Sequence, residues 1–401
     1  MTVSFPTLVI SRRPREIGSG WDDARSWFGG KPELGGRPWP RGGPGQTPFH
    51  FVAQIDLAEV AREVGRSGQH APLPDGALAF FIGSGGDVVV HVPRHELGEP
   101  TPPPPDAPAV MEIGGELFPA SFGPEAPRLF PRWPVGVTSI GVDPEVAPGV
   151  DGDAQADAIE AIGEAQVAAV DRLFTRRQYF FSAKGAYKLV GEGARRFWWH
   201  SAHHYAACLR AALSRLPGRV EVWRQHLGAA RAAERERPAP EFAGFVREVS
   251  DWVRGTDPWR PMTPEAVGRL AATFERGRTA FAEFTRFFTP HSLDDLETET
   301  LITLATADDR AYATMPEVVR SLINSQYLLP TGNWHQMFGL GVDIQANAAC
   351  ENEGNVMLLQ LVYDDMMHWR FGDMGAFQFW IPPGDLAAGN WAAARLTFEC
   401  H

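Results

Sequence analysis

Two short stretches near opposite ends of the chain, "GALAFFI" at residues 76–82 and "GAFQFWI" at residues 375–381, are identical at four of seven positions. Each follows an apolar segment with a glutamine in its middle, Gln54 in "FVAQIDL" and Gln360 in "LLQLVY". All four segments have the composition of buried strands. The shared order predicts an internal duplication of one β-rich unit.

An aromatic–glycine step lies upstream of each glutamine strand, at Phe28-Gly29-Gly30 in the first copy and Phe338-Gly339 in the second. Glycine allows backbone conformations that other residues rarely adopt. In the first copy the step belongs to "SWFGGKPELGGRPWP" (26–40), where Trp27, Trp39 and the prolines predict a rigid loop. Two interpretations stay open: the loop covers a sheet edge, or it forms one wall of a binding cleft between the copies.

The chain between the two copies is predicted to be mainly helical. Phe242, Phe245 and Val249 recur at helical spacing, and Thr263-Pro264 is typical of a helix start. Proline- and glycine-rich stretches separate this part from both ends. We therefore predict an α+β fold in which two related β-rich lobes pack together and a large helical segment is inserted between them, with boundaries at 1–150, 151–330 and 331–401.

The composition is that of a globular protein, with 44% apolar and 21% charged residues. The longest apolar runs are too short for a transmembrane helix, and the first residues lack the pattern of a secretory signal. Cys208, Cys350 and Cys400 are far apart and without zinc-type spacing, which is typical of reduced thiols. These features predict a cytoplasmic protein with no membrane partner.

The net charge of −12 is unevenly distributed. Residues 172–237 have an excess of Lys and Arg interleaved with aromatic residues, whereas residues 291–401 are strongly acidic. A basic, aromatic segment could bind nucleic acid or another anion. It could equally face the acidic segment or form a solvated surface, so nucleic acid is kept as an alternative partner.

The motifs at the two ends resemble those of the YwqG-like bacterial family, a domain of unknown function. The family's tryptophan in a W-G-D turn is Phe371 here, and its terminal glutamine is Glu399. The resemblance implies a bacterial, cytoplasmic α+β protein and supplies no catalytic residues. The motifs that carry it are, in order, "WFGGKPELGGRPWP" (27–40), "VAQIDL" (52–57), "LPDGALAFF" (73–81), "HQMFGLGVDIQ" (335–345) and "FGDMG" (371–375).

Two sets of polar residues could carry chemistry at the ends of the chain. Asp373 lies in a glycine-flanked turn shortly after Asp364 and Asp365, and paired carboxylates can do acid–base or metal chemistry. The same residues are also typical of an ordinary turn. Gln54 and Gln360 must find hydrogen-bond partners inside apolar strands. Each either ties down a neighbouring loop or presents its amide to a ligand.

Three histidines in "HSAHH", His200, His203 and His204, share one helical face at a spacing that suits a metal. They point away from the apolar stripe of the same helix, which predicts that they lie outside the core. Acidic and cysteine ligands are missing from the adjacent sequence, so we expect no metal. Phosphate-binding, dinucleotide-binding and metalloprotease motifs are also missing, and we expect no cofactor.

The sequence alone therefore favours a non-enzymatic binding module for a protein partner, of the immunity or regulatory type. One alternative is an enzyme with carboxylates in a cleft between the lobes, and another is an anion or nucleic-acid binder that uses residues 172–237. The oligomeric state stays open. The residues predicted to line the cleft are Trp27, Phe28, Gly29, Gly30, Trp39, Gln54, His335, Gln360 and Asp373.

Overall fold

A computed structural model describes residues 5–18, 21–68, 73–83, 86–110, 127–142, 152–174, 198–286, 288–290, 292–326, 328–330, 332–345 and 348–401. The chain divides into two compact units. Residues 1–116, 127–178 and 321–401 form the first, which we call the sheet unit. Residues 117–126 and 179–320 form the second, the helical unit.

Within its described residues, the sheet unit contains one ten-stranded antiparallel sheet and a separate two-stranded ribbon, β3–β4. The strands are β1 (Leu8–Arg12), β2 (Trp27–Phe28), β3 (Arg41–Gly42), β4 (Thr47–Pro48), β5 (His50–Asp56), β6 (Ala77–Gly83), β7 (Gly86–Val92), β8 (Trp133–Ser139), β9 (His335–Met337), β10 (Val356–Val362), β11 (Ala376–Ile381) and β12 (Arg395–Glu399). The order in the large sheet is β12-β11-β10-β9-β1-β8-β2-β5-β6-β7.

The helices are divided between the units. Helices of the sheet unit are α1 (Leu57–Arg66), α2 (Gly152–Leu173), α11 (Ala348–Glu351) and α12 (Pro383–Ala388). Those of the helical unit are α3 (Trp199–Leu227), α4 (Ala229–Glu236), α5 (Ala239–Val253), α6 (Pro264–Ala280), α7 (Ala282–Thr285), α8 (Leu293–Ala305) and α9 (Asp309–Ala313), and the boundary between units falls within α10 (Glu317–Gln326).

The two halves of the sheet have the same strand order and register. Outward from the central pair β1–β8, the series β9-β10-β11-β12 on one side corresponds to β2-β5-β6-β7 on the other. The pairing shifts between Phe51 and Ala53 in β5, and between Met357 and Leu359 in β10. In both strands this bulge lies just before the glutamine, so Gln54 and Gln360 occupy equivalent positions.

The aromatic–glycine steps lie in corresponding places in the two halves, but the pairing of their residues is shifted by one from the pairing predicted. Trp27 pairs with Gln54, and Gln336 pairs with Gln360. The residues that follow these strands with positive φ are Gly29 (+56°) and Gly30 in the first half, and Phe338 (+57°) and Gly339 in the second. Phe338 therefore stands where Gly29 stands and not where Phe28 stands, which corrects the pairing of these steps read from the sequence.

The two predicted lobes are parts of one continuous sheet. β1 pairs with both β8 and β9, which links the two halves. The outer strands β7 and β12 also contact each other. The rings of Phe80 and Phe379 lie 5.1 Å apart. The sheet is therefore nearly closed.

Helix α2 belongs to the sheet unit, although the sequence placed it at the start of the helical segment. Its Val170 packs with Val9 of β1 and with Ile140 just after β8. The Gln166 Nε2 donates to the Thr7 Oγ1 at 2.8 Å. The last two turns of α2 are therefore anchored against the sheet.

The core of the helical unit follows the predicted helical periodicity. Phe242, Phe245 and Val249 of α5 are buried in one apolar cluster with residues of α3 and α6. The Thr263 hydroxyl accepts the N–H of Ala266, which confirms the predicted N-cap of α6. Across the described parts of the chain, none of the helices is both long enough and apolar enough to cross a bilayer.

Substitution of Gly29 is expected to be more damaging than substitution of Gly36. Both residues have positive φ, so alanine costs about 1 kcal/mol at either position. A Cβ on Gly29 would lie 2.1 Å from the backbone oxygen of Pro131, whereas Gly36 has open space. We expect Gly29→Ala to lower the free energy of unfolding by about 2 kcal/mol more than Gly36→Ala, measured by urea denaturation. Equal losses would contradict the close approach at Gly29.

Candidate functional site

The aromatic residues of the 26–40 loop are buried. Trp27, Phe28 and Trp39 are 3%, 0% and 8% exposed. Trp27 and Trp39 pack in a cluster with Phe51 and Phe81 of the β5–β6 hairpin, and the Trp39 Nε1 donates to the Phe49 carbonyl at 2.7 Å. The aromatic residues of the loop therefore cover a face of this hairpin.

The two glycines of this loop allow its close approach to neighbouring backbone. The Gly29 N–H donates to the Val52 carbonyl, and the Gly30 N–H donates to the Phe130 carbonyl, each at 2.9 Å. A Cβ on Gly30 would lie 2.7 Å from the Cβ of Arg132. Both residues are thus used for packing.

The glutamines that the sequence singled out hold loops. The Gln54 Oε1 accepts the N–H of Glu33 at 2.8 Å, and the Gln360 Oε1 accepts the N–H of Val342 at 2.6 Å. Gln360 also donates from Nε2 to the Trp334 carbonyl at 3.0 Å. The side-chain carbonyl oxygens of both glutamines therefore act as loop anchors.

His335 belongs to a buried charge cluster with Asp364 and Arg12. The His335 Nε2 donates to the Asp364 Oδ2 at 2.9 Å, and the His335 Nδ1 accepts the N–H of Val362 at 3.2 Å. The Arg12 guanidinium forms an ion pair with the same Asp364 oxygen. The three side chains are at most 2% exposed. Arg12 could not be predicted as part of the cluster, because an arginine in "ISRR" is typical of a solvated residue.

Burial and charge determine the protonation states of this cluster. Burial lowers the pKa of His335, and the hydrogen bond to Asp364 offsets this only in part. Burial alone would raise the pKa of Asp364, but Arg12 and the His335 hydrogen bond more than compensate, and the pKa is lowered. The arrangement is therefore an ionised Arg12–Asp364 pair oriented by a neutral histidine. It lacks the solvent access that catalysis on an outside substrate needs.

Aromatic rings surround the cluster. The His335 ring lies 4.9 Å from Phe28 and 5.4 Å from Trp369. The neighbouring His368 is 2% exposed and has φ +57°, and burial lowers its pKa to about 3. The left-handed turn after β10 thus brings polar and aromatic residues together in the interior.

Asp373 is the one predicted cleft residue that lies in an exposed turn. Its carbonyl accepts the His401 N–H at 2.9 Å, and the flanking Gly372 and Met374 both have positive φ. Asp364 is instead buried and paired with Arg12, and the Asp365 side chain lies outside the described residues. These positions favour the interpretation of Asp373 as an ordinary turn residue over that of a paired carboxylate.

The prediction that the three helical histidines lie outside the core is wrong for His204, which is 4% exposed. The first turns of α3 are covered on both faces: the His203 Nε2 lies 2.9 Å from the Thr256 Oγ1, and the His204 Nε2 lies 4.0 Å from the Glu299 Oε2. Burial lowers the pKa of His200 and of His204 to about 4.

Metal-ligating groups are scattered in the parts of the chain that the structure describes. Among those residues, no three or more His, Cys, Asp or Glu side chains are grouped as a metal site would require. Cys400 is a free thiol and Cys208 is buried, while the Cys350 side chain lies outside the described residues.

This geometry defines a class of protein: a mixed α/β protein on a large, nearly closed antiparallel sheet, with a buried cluster of charged and polar residues. Residues 26–97 and 257–400 match the family model described as Domain of unknown function (DUF1963). The match covers more than half of the chain, and the protein belongs to this family. The matched segments contain β2 to β7 and β9 to β12, whereas residues 98–256 lie outside the match and include α2 to α5. None of the curated proteins compared with this chain matches it.

Proposed function

We propose that this protein is a non-enzymatic binding module that acts on a protein partner, as an immunity or regulatory factor does. The observation that carries the proposal is an apolar stripe on α2 that is exposed over the first part of the helix. This helix lies in the part of the chain outside the family match, where a feature specific to this protein is expected.

The stripe continues a face of α2 that is buried further along. Ile159, Ile162, Gln166 and Val170 are spaced by three or four residues and so share one side of the helix. Gln166 and Val170 are buried against other residues of the sheet unit, whereas Ile159 is 42% exposed and nearby Val167 is 40% exposed. Apolar side chains that continue from a core into solvent are typical of an interaction site.

The charge of α2 supports a particular kind of partner. Asp157, Glu160 and Glu164 are exposed, and helical geometry places them side by side, next to Val167. An amphipathic helix with basic residues beside its apolar face is complementary to this surface. We therefore propose a basic amphipathic helix of a protein partner as the occupant.

The two alternative functions have weaker support. Of the carboxylates proposed for catalysis, Asp364 is buried and bonded to His335 and Arg12, and Asp373 lies in an exposed turn away from that cluster's interior. In the basic segment 172–237, exposed arginines have carboxylate neighbours: Arg224 contacts Glu221 and Glu236 at 3.4 Å. These pairs favour a solvated face over a nucleic-acid surface.

We also propose a finer placement within the family, as a YwqG-like bacterial protein of the cytoplasm whose sheet arose by internal duplication. The ordered motifs support the YwqG-like placement. Equal register in the two halves supports the duplication, as do the matching bonds that Gln54 accepts from the N–H of Glu33 and Gln360 accepts from the N–H of Val342.

An affinity experiment with surface variants tests the partner proposal. The full chain is immobilised as wild type, as Ile159→Glu and as Val318→Glu, and exposed to lysate of the source cell. Val318 of α10 is 48% exposed and serves as the matched control. We expect one protein to be retained by wild type and Val318→Glu and lost with Ile159→Glu. Circular dichroism checks that all three forms are folded.

The captured protein is then purified and titrated by calorimetry, with weaker binding expected at high salt because acidic residues flank the stripe. Self-association lost in Ile159→Glu would replace the partner by a second copy of this chain. Retention only of nucleic acid, or of a metabolite, would contradict the proposal and favour one of the two alternatives.

A further inference from the structure

The second half of the sheet contains a network of three glutamines on neighbouring strands. The Gln336 Nε2 donates to the carbonyls of Phe338 and Leu340 at 3.1 and 2.6 Å. The Gln378 Nε2 donates to the Val342 carbonyl at 2.7 Å and to the Gln360 Oε1 at 3.0 Å. Together with the bond from Gln360 to the Trp334 carbonyl, every amide nitrogen of the network has an acceptor on the chain.

The first half has different residues at two of the three equivalent positions. In register, Trp27 stands in the place of Gln336 and Ala79 in the place of Gln378, on either side of Gln54. The amide of Gln378 thus has no counterpart. Trp27 Nε1 and Gln54 Nε2 are both buried, and neither has a hydrogen-bond acceptor among the residues that the structure describes. The two residues are 3% and 1% exposed.

Neither group can act as an acceptor in place of its donor. The Gln54 Oε1 accepts the N–H of Glu33, so a flipped amide would place an NH₂ group against that donor. The indole nitrogen of Trp27 is a donor only. Because buried donors in native proteins are almost always paired, two adjacent obligate donors on one face of the sheet indicate an acceptor from outside the chain.

We infer that this face of the β2–β5 pair is a binding site for a small oxygen acceptor, held by the indole N–H of Trp27 and the amide N–H of Gln54. The Arg132 guanidinium lies 5.2 Å from the centre of the Trp27 ring, and its positive charge favours an electron-rich oxygen. The oxygen belongs either to an internal water or to the carboxylate of a small ligand. The inference does not depend on the proposed protein partner.

Indole NMR on the full chain labelled with ¹⁵N tryptophan tests the site. The Trp27 Nε1–H signal is assigned with Trp27→Phe, and Trp39→Phe assigns the reference indole, which donates to a backbone carbonyl. We expect a Trp27 signal shifted downfield like that of Trp39. A cross-relaxation peak with the water resonance identifies an internal water, and a saturable shift on titration with sodium acetate identifies a carboxylate site.

Two further variants separate this site from general packing effects. Gln54→Leu should move the Trp27 signal, whereas Gln360→Leu in the other half should leave it in place. Ala79→Gln places a longer side chain beside Gln54, as Gln378 lies beside Gln360, and should abolish the water or acetate response by occupying the site; it replaces Gln54→Leu if that variant does not fold. A Trp27 signal typical of an unbonded indole, without response to water or acetate, would overturn the inference.

Discussion

Asp364→Ala is expected to lower the free energy of unfolding by about 3–5 kcal/mol. The Arg12 guanidinium is 1% exposed and forms an ion pair with the Asp364 carboxylate. Removing the carboxylate leaves a buried positive charge and an unpaired His335 donor, and neither can reach water. Urea denaturation monitored by tryptophan fluorescence measures the loss, since Trp369 packs 5.4 Å from the His335 ring.

Two controls show whether burial of the charge causes this loss. Asp106 pairs with Arg41 on the surface, and Asp106→Ala should leave stability unchanged, because exposed pairs contribute little. The double variant Arg12→Met/Asp364→Leu removes both charges together and should recover most of the stability lost in Asp364→Ala. If the double variant is as unstable as the single one, the cluster contributes by shape and not by charge.

The equivalent positions in the two halves of the sheet could be predicted, because similar residues recur in the same order at both ends of the chain. Strand alternation and the shared glutamine predicted that Gln54 and Gln360 occupy equivalent positions in the two halves, and the register agrees. The offset at Phe338 could not be predicted, because an aromatic residue at positive φ is uncommon. The similarity of the two short aromatic–glycine sequences therefore led to the incorrect alignment of Phe28 with Phe338.

The candidate site was harder to predict, because burial depends on residues far apart in sequence. Arg12 and Asp364 are 352 residues apart, and neither segment alone indicates an ion pair. Trp27 and Trp39 lie in a loop whose composition is equally typical of an interaction surface, and only the β5–β6 face below them shows that they are core. His204 was placed outside the core on the assumption that α3 has a single buried face.

Acidification from pH 7 to pH 5 is expected to destabilise the protein through its buried neutral histidines. Burial lowers the pKa of His204 to about 4 and that of His368 to about 3, from the ordinary 6.5. Between these values the unfolded chain binds a proton that the folded chain does not. The stability contributed by each neutral histidine is therefore complete above pH 6.5 and is lost as the pH falls towards the folded pKa.

The expected loss at pH 5 is on the order of 2 kcal/mol for each such histidine. His50 and His200, whose pKa values burial lowers to about 4, add to it. The lowered pKa of Asp364 affects stability at a lower pH than the histidines do. The stability contributed by the ionised carboxylate is present above the ordinary carboxyl pKa and is lost only as the pH falls through the folded value. Acid destabilisation above pH 5 therefore reports on histidines and not on the ion pair.

Substitution of single histidines tests this assignment. His204→Gln removes one titrating group, and although it lowers stability at pH 7, it should reduce the difference between pH 7 and pH 5 by on the order of 2 kcal/mol. His95, which is 81% exposed, is the control, and His95→Gln should leave the difference unchanged. If His204→Gln and wild type lose the same stability on acidification, His204 is not the titrating group. Its neighbour Glu299, 4.0 Å from the ring nitrogen, would then stabilise the charged imidazole enough to offset burial.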